Sequence, residues 1–313
     1  MKRFCVIILI ISMMILGTSC GAGSGGNAGD DNGKISIVTT VFASYDWTRN
    51  LIKGCENRFD LVFLTDSGVD LHSFQPGVIE VAEITDCDLL IRTGGESESF
   101  IDDIEAGGSF EGMEVNMLEI LGKDAIMIDG EDGEEPDEHV WMSLRNAERF
   151  CDDICDALKE LDPENAAKYE ANLEAYLKEL DELDGEYQAR TSKVSKGLVI
   201  GDRFPFIYLF NDYGIEYFSA FSGCSSETDA SFETVTTLAK KVDELGLKYV
   251  LTVEGSNSKV AQAIINVTEK GDQKILELDS MQTVSSSDIE RGKTYISTMR
   301  HDLEILLIAE GIY

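Results

Sequence analysis

The sequence predicts an α/β protein of two lobes, each with a mainly parallel sheet, joined by one long rigid helix. Three observations carry that prediction. Short β-branched runs alternate with helical stretches from Lys34 onward, the signature of strand–helix–strand units. A purely helical block, Leu144 to Arg190, then interrupts the alternation. Beyond Gly197 the alternation resumes.

In order along the first lobe, Ile35 to Val41 reads as a strand, Ser44 to Lys53 as a helix and Asp60 to Leu64 as a strand. Pro76 to Ile84 reads as a helix and Asp88 to Thr93 as a strand. Asp162-Pro163 breaks the helical block, with Asp162 suited to an N-cap and Pro163 to the first helical position. The segment that follows is rich in Ala, Glu, Lys and Leu, and Tyr169, Leu173, Tyr176, Leu180 and Leu183 form one apolar stripe. Its length, about 40 Å at 1.5 Å per residue, exceeds a normal crossover and suits a link between lobes. In the second lobe Leu198 to Ile200, Tyr249 to Val253 and Ile275 to Leu278 read as strands. Ser231 to Leu245, Lys259 to Thr268 and Thr294 to Ala309 read as helices. The division expected is a first lobe over 34–163, a linking helix over 164–192 and a second lobe over 193–313.

The first residues read as an address. Lys2 and Arg3 precede an apolar run from Phe4 to Leu16, which at about 20 Å is too short for the roughly 30 Å hydrocarbon core. A positive start, a short apolar stretch and small residues thereafter make a signal peptide, residues 1–19. Gly17-Thr18-Ser19-Cys20-Gly21 resembles a bacterial lipoprotein cleavage box, with Gly17 where such boxes usually carry Leu. The glycine-rich stretch after Cys20 has the composition of a flexible tether, residues 20–33. Lipidation at Cys20 would hold the chain on the extracytoplasmic face of the cell membrane. Cys55, Cys87, Cys151, Cys155 and Cys224 are odd in number and irregular in spacing, so they read as buried thiols rather than a disulfide framework.

Fifty-nine acidic residues against 26 basic ones give a formal charge of −33. Such a field excludes nucleic acid as a partner and concentrates cations. The 43% hydrophobic content argues against disorder.

Ligands of open parallel sheets bind beyond the carboxyl ends of the strands. Asp202 and Arg203, Glu254 and Asp279 directly follow predicted strands, and His72 lies in the polar loop after Asp60 to Leu64. Of the three histidines, His301 sits beside Ile305 and Leu306 in the last helix and reads as structural. His139 closes a run from Asp129 to Glu138 with seven acids in ten positions, itself a solvated acidic loop. No H-E-x-x-H, paired C-x-x-C, G-x-S-x-G or P-loop occurs. His72 and His139 with a carboxylate from the second half would suit Zn²⁺ or Mn²⁺, although spacing alone leaves that open.

The whole mature chain resembles the solute-binding lipoproteins of zinc and manganese ABC transporters, which are related to the adhesin lipoproteins. Asp70-Leu71-His72-Ser73-Phe74-Gln75-Pro76 resembles the family's D-x-H-x-(Y/F)-x-P, and Asp137-Glu138-His139-Val140-Trp141 its D-P-H-x-W. Asp162-Pro163, Tyr169, Asn172 and Tyr176 resemble the start of its linking helix. Tyr213-Gly214, Ser231 and Leu278-Asp279-Ser280-Met281 match landmarks of its second lobe. The resemblance implies a ligand cleft between the lobes, with His72, His139 and Asp279 as metal ligands. It implies Zn²⁺ as cargo, with Mn²⁺ as the alternative, and delivery by a monomer to an ABC permease instead of catalysis.

One position departs from the family. Its third ligand, His or Glu, falls on Arg203, counted back from Tyr213-Gly214 with Phe206 and Tyr208 in register. Arginine has no acceptor and stays protonated, so it cannot ligate a cation. The expectation is that Arg203 turns away and braces an acidic residue, Asp202 or Glu254, while water or Glu254 completes the metal's four ligands. The alternatives are a metal-site-altered binder in which Arg203 recruits an anion, an adhesion or sensor lipoprotein on the same scaffold, and a zinc hydrolase with Glu254 as general base.

Overall fold

The computed structural model describes residues 33–129, 133–194, 196–221 and 230–312. The leader, Cys20 and the tether, Cys224, and positions 130–132 of the acidic run lie outside them.

The first lobe is built on β1 (Ile35–Thr39), α1 (Phe42–Leu51), β2 (Phe59–Phe63), α2 (Val78–Asp86), β3 (Leu89–Arg92), α3 (Ser99–Ala106), β4 (Met113–Asn116) and α4 (Met117–Leu121). A small antiparallel pair, β5 (Met127–Asp129) and β6 (Glu134–Pro136), precedes α5 (Leu144–Leu161) and the long α6 (Ala166–Thr191). The second lobe carries β7 (Leu198–Ile200), α7 (Ile207–Tyr213), β8 (Tyr217–Ser219), α8 (Phe232–Leu245), β9 (Tyr249–Val253), α9 (Lys259–Val267), β10 (Lys274–Leu278), α10 (Ser286–Glu290) and α11 (Tyr295–Glu310).

Both four-stranded sheets are parallel throughout and share one topology, β2-β1-β3-β4 in the first lobe and β8-β7-β9-β10 in the second. Successive strand residues face opposite sides of a sheet, and both faces here are covered. Ile37, Leu89 and Ile91 enter the main core while Val38 and Leu90 pack with Ile84 and Ile101 under α2 and α3. In the second lobe Leu198, Ile200, Leu251 and Val253 join that same core, and Val199 and Val250 pack under α8 and α9. Burial on both faces is why the strands read as unbroken apolar runs.

The main core runs through α6. Tyr169, Tyr176, Leu180, Leu183 and Tyr187 are all buried in it, and 26 helical residues span about 39 Å. Asp162 does not cap through its side chain as expected; its carboxylate instead accepts from Tyr169 Oη and Asn165 Nδ2, both at 2.7 Å.

The final helix makes a second strut between the lobes, beyond the single link expected. The backbone N–H of Tyr295 donates to Asp46 of α1 at 2.9 Å, and its hydroxyl donates to the Trp141 carbonyl at 2.7 Å. The Tyr295 ring also meets Trp47 edge-on, 5.1 Å between centroids. His301 departs from its structural reading: it is exposed on α11 while Leu306 is buried, because the helical turn separates their faces. Cys55, Cys87, Cys151 and Cys155 are free, buried thiols. None of the described helices is long and apolar enough to cross a membrane.

Candidate metal centre

The two histidines, 67 positions apart in sequence, meet. His72 sits on a single 3₁₀ turn, Leu71–Ser73, between β2 and α2. Asp70 caps that turn, its Oδ1 accepting from the His72 N–H at 3.1 Å. His139 precedes the 3₁₀ turn Val140–Met142 leading into α5. The Nε2 atoms of the two rings are 3.2 Å apart. His139 is buried and the His72 side chain is 24% exposed, so one ring forms the wall and the other the mouth.

The far nitrogen of each ring is held from behind. His139 Nδ1 lies 3.0 Å from Asp137 Oδ1, which also accepts from the His139 backbone N–H at 2.9 Å. His72 Nδ1 lies 2.6 Å from Ser97 Oγ and 3.8 Å from Glu138 Oε2. At His139 the Asp137 carboxylate on Nδ1 favours the proton there and a lone pair on Nε2, the arrangement of metal-binding imidazoles.

The second lobe contributes Gln282. Its Oε1 lies 3.3 Å from His139 Nε2, and its Nε2 donates to Ser280 Oγ at 2.9 Å. Ser280 Oγ in turn donates to Glu254. That relay sets the amide so that its oxygen faces the histidines. The loop is tightly held: Glu254 accepts the backbone N–H of Ser280 at 2.8 Å and of Gln282 at 3.0 Å. Between them Met281 adopts φ 64°, a left-handed conformation that costs a non-glycine residue about 1 kcal/mol or more. Trp141 Nε1 donates to the Ser280 carbonyl at 2.9 Å, tying this loop to the segment that carries His139.

Two expected ligands are engaged by other partners. Asp279 forms an ion pair with Lys293, and its other oxygen accepts the Met281 N–H at 3.0 Å. A neighbouring ammonium and a backbone donor satisfy that carboxylate before it can turn to the cleft. Glu254 is committed to Ser280 and Gln282, and burial beside Asp279 pushes its pKa up to about 7. Among the described residues no three His, Cys, Asp or Glu side chains converge closely enough to hold a metal ion. Gln282 escaped the sequence reading because it lies three residues past the strand-end Asp279 and carries no titratable group. The loop's continuation beyond Asp279 was the available signal.

Arg203 does brace an acid, but neither expected one. Its Nη1 lies 2.9 Å from Asp70 Oδ2. Asp202 is taken by Ser256 and by the Arg203 N–H, so Asp70 of the other lobe is the remaining partner. Further bonds cross the lobes around the site. Ser286 Oγ donates to Asp66 at 2.8 Å, and Tyr208 Oη donates to the Asp137 carbonyl at 3.0 Å. Deeper in the first lobe, Glu98 accepts from Gly94 and Thr93, and burial raises its pKa to about 7.

A family model described as zinc-uptake complex component A, periplasmic (ZnuA), matches residues 37–309. The chain belongs to this family. Within the ZnuA relatives, the chain is 26% identical to the high-affinity zinc uptake system protein ZnuA of Bacillus subtilis over 320 residues, 97% of each chain. It is 26% identical over 299 residues to the zinc-binding protein AdcA of Streptococcus pyogenes serotype M1, covering 90% of this chain and 57% of AdcA. The chain thus spans little more than half the length of the streptococcal relatives it matches. Among solved structures, the metal-dependent lipoprotein YcdH of Bacillus subtilis aligns with a TM-score of 0.73 and 26% identity over 88% of this chain and 99% of YcdH. The periplasmic zinc-binding protein TroA of Treponema pallidum shares the fold, with a TM-score of 0.75 at 21% identity over 89% and 99%.

Proposed function

We propose that the chain is an extracytoplasmic solute-binding protein. It takes up one divalent transition-metal ion at His72, His139 and Gln282 and hands it to the permease of an ABC importer. One observation carries this reading. Two imidazole nitrogens and an amide oxygen meet in the cleft, with His139 Nε2 3.2 Å from His72 Nε2 and 3.3 Å from Gln282 Oε1, and each ring's Nδ1 has an oxygen partner behind it. In a tetrahedral zinc site with bonds of about 2.0–2.1 Å, the donor–donor edge is about 3.3–3.4 Å. When both Nε2 atoms are unprotonated, their lone pairs repel one another at that spacing, and a bound cation relieves the repulsion.

Two imidazoles and an amide oxygen suit Zn²⁺ ahead of Mn²⁺, which favours oxygen-rich sets. Water at the fourth position leaves the ion exchangeable, as cargo must be. A carrier is favoured over a hydrolase because Glu254, the one candidate base, uses both oxygens on Ser280 and Gln282. The net charge of −33 concentrates cations around the cleft.

The leader over 1–19, lipidation at Cys20, the tether to residue 33, lobes over 34–163 and 193–313, and a monomeric state complete the proposal. A relative of Streptococcus pneumoniae named zinc-binding lipoprotein AdcA supports the anchor. Chelator-stripped protein titrated with Zn²⁺ in a calorimeter tests the site. One ion per chain is expected, and none in the His72→Ala/His139→Ala double variant. An unchanged stoichiometry in that variant would overturn the reading. Cys20→Ala should release the protein from the membrane fraction.

A further inference from the structure

The ligand atoms carry no negative charge, and this has a structural answer. Two imidazoles and an amide would face a bound dication, and Arg203 stands where the resemblance expects a further donor. Among the described residues, Glu138 brings a carboxylate oxygen beside His72, and it occupies the position where the resembled D-P-H-x-W motif has proline. Glu138 is only 9% exposed. Its Oε1 accepts the Ser97 N–H at 2.9 Å, while its buried Oε2 has no hydrogen-bond partner and lies 3.8 Å from His72 Nδ1. The fold makes room for it: Gly95 has φ 93°, and a Cβ there would stand 2.5 Å from Glu138 Oε1.

Ser97 alone does not decide how His72 is protonated. Its hydroxyl, 2.6 Å from Nδ1, can accept a proton from that nitrogen or donate one to it. If Ser97 donates, the ring proton sits on Nε2, pointing at His139 and blocking a metal. A carboxylate held 3.8 Å from Nδ1 favours the tautomer with the proton on Nδ1 and the lone pair on Nε2. His139 already has this arrangement through Asp137.

We propose that Glu138 is a positioning residue that selects the metal-binding tautomer of His72 and supplies, from behind the ring, negative charge that the ligand atoms lack. Asp137 and Glu138, consecutive in sequence, then back one imidazole each, and their two charges balance a dication. The tautomer change leaves the ring's proton count unchanged: water takes the proton from Nε2 and supplies one to Nδ1, so no net acid or base is consumed.

This inference rests on the metal-carrier reading, and the test separates the two. Glu138→Gln keeps the shape and the Ser97 contact while removing the charge. Zn²⁺ affinity, measured by competition with a chromophoric chelator, should fall about 10- to 100-fold at unchanged one-to-one stoichiometry. Imidazole ¹⁵N NMR of the metal-free protein should show His72 shifting toward the Nε2–H form, with His139 unchanged as the internal control. Glu138→Asp, which keeps the charge, should recover most of the affinity and the Nδ1–H form. Equal affinity and an unmoved His72 tautomer in Glu138→Gln would overturn the inference. Wild-type protein that takes up no Zn²⁺ at all would instead overturn the carrier reading.

Discussion

Arg203 of the second lobe and Asp70 of the first form an ion pair, Nη1 to Oδ2 at 2.9 Å, beside the two histidines. The other oxygen of Asp70 holds the backbone N–H of His72 at 3.1 Å. Arg203 therefore acts on the site through the turn that carries His72 and without ligating anything itself. The same contact draws the two lobes together at the mouth of the cleft.

Replacing Arg203 by Gln leaves the largely buried Asp70 carboxylate without its cation. Arg203 is one-third exposed, so the cost is below that of a fully buried pair, about 1–2 kcal/mol. Thermal unfolding of the metal-free variant should show a Tm lower by a few degrees. Metal should still bind, more weakly, because the His72 turn loses its brace. A variant as stable as the wild type would mean that solvent already satisfies Asp70.

Gln282 and Asp279 give opposite expectations. Gln282→Ala removes a donor 3.3 Å from His139 and should weaken Zn²⁺ binding at least about tenfold. Asp279→Asn should leave affinity nearly unchanged, since that carboxylate is engaged by Lys293 and the Met281 N–H. Gln282→Glu, which places a charge on the same atom, should tighten binding. Calorimetry on the three variants orders them, and a larger loss in Asp279→Asn than in Gln282→Ala would reverse the assignment.

Much of the fold was legible because its strands are apolar on both faces and its helices long. Val38 and Leu90 feed one core and Ile37, Leu89 and Ile91 another, so these runs stand out against the polar connections. Short elements such as β4, β8 and α7 gave no such contrast; β8 has only three residues, all half-buried. The histidine pair was legible from its motifs, but the partner from the second lobe was not. Asp279 is the conspicuous residue after β10, and no local signal marks the positive-φ turn at Met281 that precedes Gln282, whose Oε1 lies 3.3 Å from His139 Nε2. Lys293, fourteen positions on, captures Asp279, a tertiary pairing that no local pattern announces.

Metal affinity should fall on acidification because each ligating imidazole must be neutral. Protons compete with the metal for His72 and His139 as the pH falls. With Gln282 unable to titrate, no more than two protons are displaced from the ligands. The logarithm of the affinity should therefore fall with a limiting slope of about two per pH unit in acid. A slope near zero from pH 7 to pH 5 would rule out both imidazoles as ligands.

Stability of the metal-free protein should decline as pH rises from about 5 to 7.5. Glu98 and Glu254 have pKa values raised to about 7 by burial, and burial likewise pushes Asp302 above the usual carboxylate range. In that interval the folded chain keeps protons that the unfolded chain, titrating near 4.5, has already released. The folded state thus binds more protons, and raising the pH favours unfolding. Carboxylates held low by hydrogen bonds and ion pairs, such as Asp162 and Asp288, act in the opposite sense but below pH 4. Glu98→Gln keeps one oxygen, enough to accept from the Gly94 N–H but not also from the Thr93 N–H, which donates to the other carboxylate oxygen, and it removes one of the titrating groups. Melting curves recorded with chelator present should show a shallower loss of Tm between pH 5 and 7.5 for this variant. A slope identical to that of the wild type would place the pH-sensitive proton on another group.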